Sequence, residues 1–264
     1  MNATKLFLLA TVLFIGALGS TSHAATILYT QNFENPVGFV QSSVYKDLSQ
    51  QSVNTLYANQ PVGFTFSQAF TVETIHLTGG TAFGTGYVDP TGQGDDYSLG
   101  MLSTLQNDLL GLSFDVGAND FLNFQLDVSR LGVEGPNGPA ANGAPSFRFR
   151  LFDNPTGAAN LQGNGTLLSF SDLSGADSTN NFTLNWTTLL APLDASSSSN
   201  GKVTLQIDLL SGGYATMDNF IVAASNQPGD VTPPPSVPEP GILMLLSIGL
   251  AGMLLASLRR KRVL

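Results

Sequence analysis

The chain contains no cysteine, only two histidines and one tryptophan, and just ten Lys or Arg against nineteen Asp or Glu in 264 residues. Without cysteine there is no disulfide to staple the fold and no thiol nucleophile or thiolate metal ligand. Two imidazoles, His23 and His76, are too few for zinc centres of the usual type, which draw on several His or Cys ligands. Cations are also too scarce to neutralise a row of phosphates, so nucleic acid is not an expected partner. Long amphipathic helices are missing between residues 25 and 225, where 99–110 alone carries a weak helical pattern.

Both ends are apolar in a way that the middle is not. At the N-terminus Lys5 precedes an apolar run from Leu6 to Leu18, and Ser22-His23-Ala24 follows with small residues at the minus-three and minus-one positions. That order reads as a secretory signal peptide over 1–24, with a mature chain starting near Ala25. A retained N-terminal anchor is the competing reading, and the run is short for a membrane span.

At the C-terminus Val237-Pro238-Glu239-Pro240 is followed by an uncharged stretch from Gly241 to Leu258 and then by Arg259-Arg260-Lys261-Arg262. Eighteen residues make a helix about 27 Å long at about 1.5 Å per residue, close to a hydrocarbon core of about 30 Å. In that setting Gly249 and Gly252 are tolerable, because a backbone in lipid has no partner but itself. The four cations resist translocation, which leaves them in the cytoplasm and everything before Val237 outside. The competing reading is a buried core helix.

The Pro-Glu-Pro motif, the apolar helix and the terminal basic cluster, in that order and at that end of the chain, resemble the PEP-CTERM sorting signal of Gram-negative bacteria. The resemblance implies recognition by exosortase, a membrane-embedded cysteine peptidase or transpeptidase that cuts near the motif, in bacteria that make exopolysaccharide. It also implies an inner-membrane anchor that is temporary, with the exported part ending at the cell surface or outside. Two prolines with fixed φ and no amide donor keep the motif extended and out of the helix.

Five of the ten cations, Lys5 and Arg259 to Arg262, lie in the two end segments, so the stretch between them, Glu239 included, carries five cations against nineteen acids, a net charge of −14. Such acidity suits solubility and calcium, and equally no ligand at all. At about 200 residues, 25–225 is long enough to bury roughly 70% of its unfolded surface as one domain. Leu122, Phe124, Leu126 and Val128 alternate with polar residues, as do Phe147, Phe149 and Leu151, and Val203, Leu205, Ile207 and Leu209. Period two marks strands with one face buried. Further strands are expected at 26–33, 63–66, 70–77, 112–116, 167–170, 182–189 and 214–222, separated by Gly, Asn, Pro and Ser clusters. Many short strands without helices argue an all-β antiparallel β-sandwich, a jelly roll of eight or more strands. Residues 226–236, with Pro233-Pro234-Pro235, read as an extended linker between the sandwich and the sorting segment 237–264.

Gln31-Asn32-Phe33-Glu34 and Met217-Asp218-Asn219-Phe220 resemble the opening and closing segments of jelly-roll carbohydrate-binding modules. In that architecture the first and last strands are neighbours, and the resemblance implies a structural calcium at Glu34 and Asp218, helped by backbone carbonyls and an Asn32 or Asn219 amide. The apolar alternation slips by one between Met217 and Phe220, which predicts a β-bulge at Asp218-Asn219. The competing reading has Asp218-Asn219 cap a strand and Glu34 face solvent. The acidic run from Asp89 to Asp96 imitates the start of a calcium loop, but its twelfth position is Gly100 instead of a bidentate Glu, so it reads as a glycine-rich rim loop.

Catalytic inventory is thin. His76, the one histidine left after signal removal, sits between Ile75 and Leu77 and reads as a structural strand residue with no nucleophile elbow. Glu34, Glu73 and Glu134, the glutamates of the domain, have no recognisable glycosidase setting. Trp186 is either a sugar-stacking platform or a core aromatic. The expected function is therefore a non-enzymatic envelope or matrix role. A carbohydrate-binding module is the alternative, and a secreted hydrolase the weakest reading.

Overall fold

The computed structural model describes residues 25–233 apart from 45, 59, 61–65, 70–71, 80–85, 103–108, 133–142, 159 and 179. The signal peptide (1–24) and the sorting segment with its expected membrane helix (241–258) lie outside the described residues. Among the described residues no helix is long and apolar enough to cross a membrane.

In chain order the elements are β1 (Thr26–Gln31), the single helical turn α1 (Val53–Leu56), β2 (Phe66–Ala69), β3 (Val72–His76), β4 (Tyr97–Met101), β5 (Leu109–Asp115) and β6 (Phe121–Arg130), followed by β7 (Ser146–Asp153), β8 (Leu167–Ser174), β9 (Thr187–Asp194), β10 (Lys202–Ser211) and β11 (Ala215–Ser225). They form two antiparallel sheets, one ordered β3-β4-β11-β6-β9 with β1 also paired to β11, the other β2-β5-β10-β7-β8. From β4 to β11 the chain passes between the sheets at nearly every connection, which makes the sandwich jelly-roll-like. The first and last strands are neighbours, with Thr26 opposite Ala224 and Gln31 opposite Phe220.

The alternating residues meet between the sheets. Phe124 and Phe149 from opposite sheets touch edge to face at 5.6 Å, and Phe220 lies edge to face on both Phe33 and Phe124 at 5.0 Å. A smaller cluster of Ile75, Leu77, Leu131, Leu184 and Trp186 is separate from this core. Ile75 and Leu77 are odd-numbered neighbours of Val72, which faces the main core, so strand alternation puts them on the outer side of the six-stranded sheet.

Three expectations are corrected. The described ends of the 99–110 stretch are strand, with Leu99 and Met101 entering the core from β4 and Leu110 and Leu112 from β5; residues 103–108 lie outside the described residues. The strand expected over 182–189 begins only at Thr187, because Leu184 and Trp186 turn into the outer cluster. The linker does not start at 226. Asn123, fully buried, donates from Nδ2 to the carbonyls of Gln227 and Asp230 at 3.0 Å each and accepts the Gly229 N–H at 2.7 Å. The compact unit accordingly runs Ala25–Thr232.

Candidate functional site

Strand β11 changes neighbour halfway along one edge: Ala215 to Met217 pair with β4, and Phe220 to Ala224 pair with β1. Asp218 and Asn219 fall at that junction, where the pairing with β6 also shifts register. Asn219 adopts φ 52, a left-handed conformation that Asn tolerates better than most side chains. This is the bulge that the slipped alternation predicts. It lets Ala215 and Met217 before it, and Phe220, Val222 and Ala224 after it, all face the main core.

The same bulge turns Asp218 outward beneath loop 89–96 in a position that is still 1% exposed. Asp127 of β6 stands directly opposite it. Burial pushes the Asp218 carboxyl up to about 9; the Asn219 N–H, at 2.6 Å, works against this, and the nearby charges of Glu34, Asp127 and Asp95 add to it. None of the ion pairs found among the described residues includes Asp218. Glu34, three residues beyond β1, accepts the backbone N–H groups of Asp96 at 3.1 Å and Tyr97 at 2.9 Å. It therefore ties the end of β1 to the start of β4 across the junction. Burial raises the Glu34 carboxyl as well, opposed by those two N–H bonds and reinforced by Asp95 and Asp96.

Loop 89–96 closes the site. Asp89 Oδ1 accepts from the Thr91 and Gly92 N–H groups at 3.0 Å, and Oδ2 from the Gly94 N–H at 2.8 Å and the Trp186 indole N–H at 2.9 Å. Burial alone would raise the Asp89 carboxyl; the bonds from Gly94, Trp186 and Thr91 outweigh it and hold the carboxyl below its usual range. Asn219 Nδ2 donates to the Gln93 carbonyl and to Asp127 Oδ2, both at 3.0 Å. The acidic run is thus a loop wound around its own first aspartate, as the absent twelfth glutamate suggests.

Of the two readings of Trp186, its burial favours the core aromatic over the stacking platform. The residue is 8% exposed, and a Cβ on Gly94 would lie 2.4 Å from its Cζ2, so the loop backbone rests on the indole. His76 is likewise structural: its ring stacks on Tyr97 at 4.6 Å, and Gly79 sits so close that a Cβ there would meet Nδ1 at 2.0 Å.

Glu34, Asp218, the 89–96 run and Trp186 are four separate features in the sequence and one place in the fold. Asp127 and Tyr57 belong to it too. The Tyr57 hydroxyl donates to the Phe33 carbonyl at 2.6 Å. Burial, with the Asp218 and Glu34 charges, holds that hydroxyl above its usual range. Asp127 looks in sequence like any solvated residue of an alternating strand, and only the register opposite Asp218 distinguishes it. Among the described residues no group of three or more His, Cys, Asp or Glu side chains is disposed to hold a metal. A cation here would rely on backbone and amide oxygens besides Asp218 and Glu34.

Residues 236–261 match the PEP-CTERM protein-sorting motif. No curated protein matches the chain. Among solved structures, the fold is similar to a xylan-binding domain from CBM family 22, at 12% identity and TM-score 0.38 over 78% of this chain and 98% of that one. It is also similar to the K3 cleaved adhesin domain of Lys-gingipain from Porphyromonas gingivalis w83, at 10% identity and TM-score 0.36 over 75% and 98% of the two chains. A Stig cyclase from Fischerella sp. TAU is similar at 13% identity and TM-score 0.41, over 78% of this chain and all of that one.

Proposed function

We propose that the chain is exported by a Gram-negative bacterium, held at the inner membrane by its C-terminal helix, and released or transferred by exosortase, after which its sandwich serves without catalysis at the cell surface or in the exopolysaccharide matrix. The PEP-CTERM motif over 236–261 carries this reading. Chemistry supports it. A proline-locked segment directly before an apolar helix is an extended, accessible substrate for a membrane-embedded peptidase. The basic cluster Arg259 to Arg262 holds the far end in the cytoplasm.

Replacing Pro238, Glu239 and Pro240 with alanine in the native host tests this. The full-length chain is then expected to accumulate in the membrane fraction, and release at the normal rate would contradict the sorting role.

A carbohydrate-binding module is the second reading, favoured by the 57% exposed Phe170 on β8. Under either reading we assign a structural calcium to Asp218 and Glu34, with Asn32 or Asn219 and backbone carbonyls completing its oxygen ligands. The fit rests on Asp218, a carboxylate buried among other carboxylates without a salt-bridge partner among the described residues. Calcium would supply the missing positive charge at the point where β11 exchanges β4 for β1.

A further inference from the structure

Asp230 is a charge that neither the calcium site nor the sorting signal uses. Its Oδ1 accepts the Thr232 N–H at 3.1 Å and the Thr232 hydroxyl at 2.7 Å, and its Oδ2 accepts the Ser225 hydroxyl at 3.4 Å. The Thr232 hydroxyl and N–H outweigh burial and hold the carboxyl below its usual range, so that it is ionised at neutral pH. None of the ion pairs found among the described residues includes Asp230. A further donor comes from the opposite end of the sandwich sequence. Thr26 stands opposite Ala224 in the antiparallel β1–β11 pairing, and the same register brings Ala25 alongside Ser225, where β11 ends. There the Ala25 backbone N–H donates to the Asp230 carboxylate. Ala25 is also the residue at which the mature chain is expected to start, so the nitrogen that Asp230 holds is the one that signal cleavage sets free.

We propose that Asp230 is the counter-ion of the mature N-terminus: cleavage between Ala24 and Ala25 turns the Ala25 amide into an α-ammonium that pairs with the Asp230 carboxylate. The assignment rests on the export reading above, which sets the cut before Ala25. The step is a hydrolysis. Water breaks the Ala24–Ala25 C–N bond, Ala24 leaves as a carboxylate, and the nitrogen keeps the bonding pair and takes up protons to become –NH3+, whose ordinary pKa is about 7.7–8.0. One neutral N–H then gives way to charged N–H donors on the same atom, and charge-assisted bonds are about twice as strong as neutral ones. The pair closes on a stretch that Asn123 already holds through Gln227, Gly229 and Asp230. Processing at the N-terminus thereby fastens the backbone that precedes the sorting motif, and the start of the mature sandwich is tied to its end.

Trace acetylation of the mature protein, extracted from its native host and labelled over a pH series, tests the pair when the N-terminal peptide is read by mass spectrometry. The pH midpoint of labelling follows the proton on the Ala25 amine. Asp230→Asn keeps an oxygen for the Thr232 bonds and removes the charge. It is expected to lower the midpoint by about one pH unit or more, with the Lys46 and Lys202 profiles unchanged. An alanine inserted between Ala24 and Ala25 leaves Asp230 intact but carries the ammonium one residue away, and is expected to lower the midpoint as well. A midpoint that neither change moves would overturn the ion pair and leave the export reading standing. A mature chain that starts elsewhere than Ala25 in the same spectra would overturn the cleavage site, and the pair with it.

Discussion

Asp218 and Asp89 show how neighbouring carboxylates acquire opposite linkages. Asp218, facing Glu34, Asp127, Asp95 and Tyr57, has its carboxyl raised to about 9, against an ordinary value of about 3.9. A folded value above the unfolded one means that the fold holds a proton which the unfolded chain releases. Stability from this group is therefore full below pH of about 4 and declines as pH rises towards about 9. Asp89 is lowered by its N–H donors, so its contribution is present above the unfolded value and is lost as pH falls.

In chelator, melting temperature should accordingly drop between pH 5 and pH 8, and Asp218→Asn should flatten that drop. Millimolar calcium should restore it in the parent chain; at a hundred times the dissociation constant the gain is about 2.7 kcal/mol. Asp218→Asn should lose the response to calcium. Identical melting curves in chelator and calcium at pH 8 would remove the metal assignment. The sequence pointed to Glu34 and Asp218, but Asp127 and Tyr57 entered the site only through register and burial. Trp186 could be placed only by the loop that covers it.

Among the elements, the strands that alternate most regularly were the most legible. β6, β7 and β10 each present one apolar face to the core, and their sequences show it without help. The 182–186 segment alternates equally well, yet Leu184 and Trp186 serve the outer cluster, and an isolated bridge joins Thr183 to Val88 in parallel. Periodicity cannot tell which apolar surface a segment faces.

The bulge in β11 was readable because a strand can change apolar parity and keep one face buried only by taking in an extra residue. Its energetics follow from the backbone. Asn219→Gly keeps the left-handed conformation and loses only the bonds to Gln93 and Asp127, whereas Asn219→Val places a β-branched residue at positive φ, a strain of about 1–3 kcal/mol. Chemical denaturation should rank stability as parent, Gly, Val. A valine variant as stable as the glycine variant would contradict a left-handed residue at this bulge.

Over the whole molecule, the ends were read from composition and charge order, and the matched motif agrees with the C-terminal reading. The domain boundary was less legible. Residues 226–232 have the Pro, Gly and Asp content of a linker, but buried Asn123 reaches out from β6 to hold their backbone. Such a side-chain clip leaves no periodic trace. It moves the end of the sandwich to Thr232, so only 233–236 separate the compact unit from Val237. Exosortase would thus act within a few residues of a folded domain. Intact-mass analysis of the mature protein from its native host decides whether it does. Processing at the motif leaves a chain that starts near Ala25 and ends close to Val237-Pro238-Glu239-Pro240, without the apolar run and basic cluster. A mature chain that still ends at Leu264 would refute the sorting role.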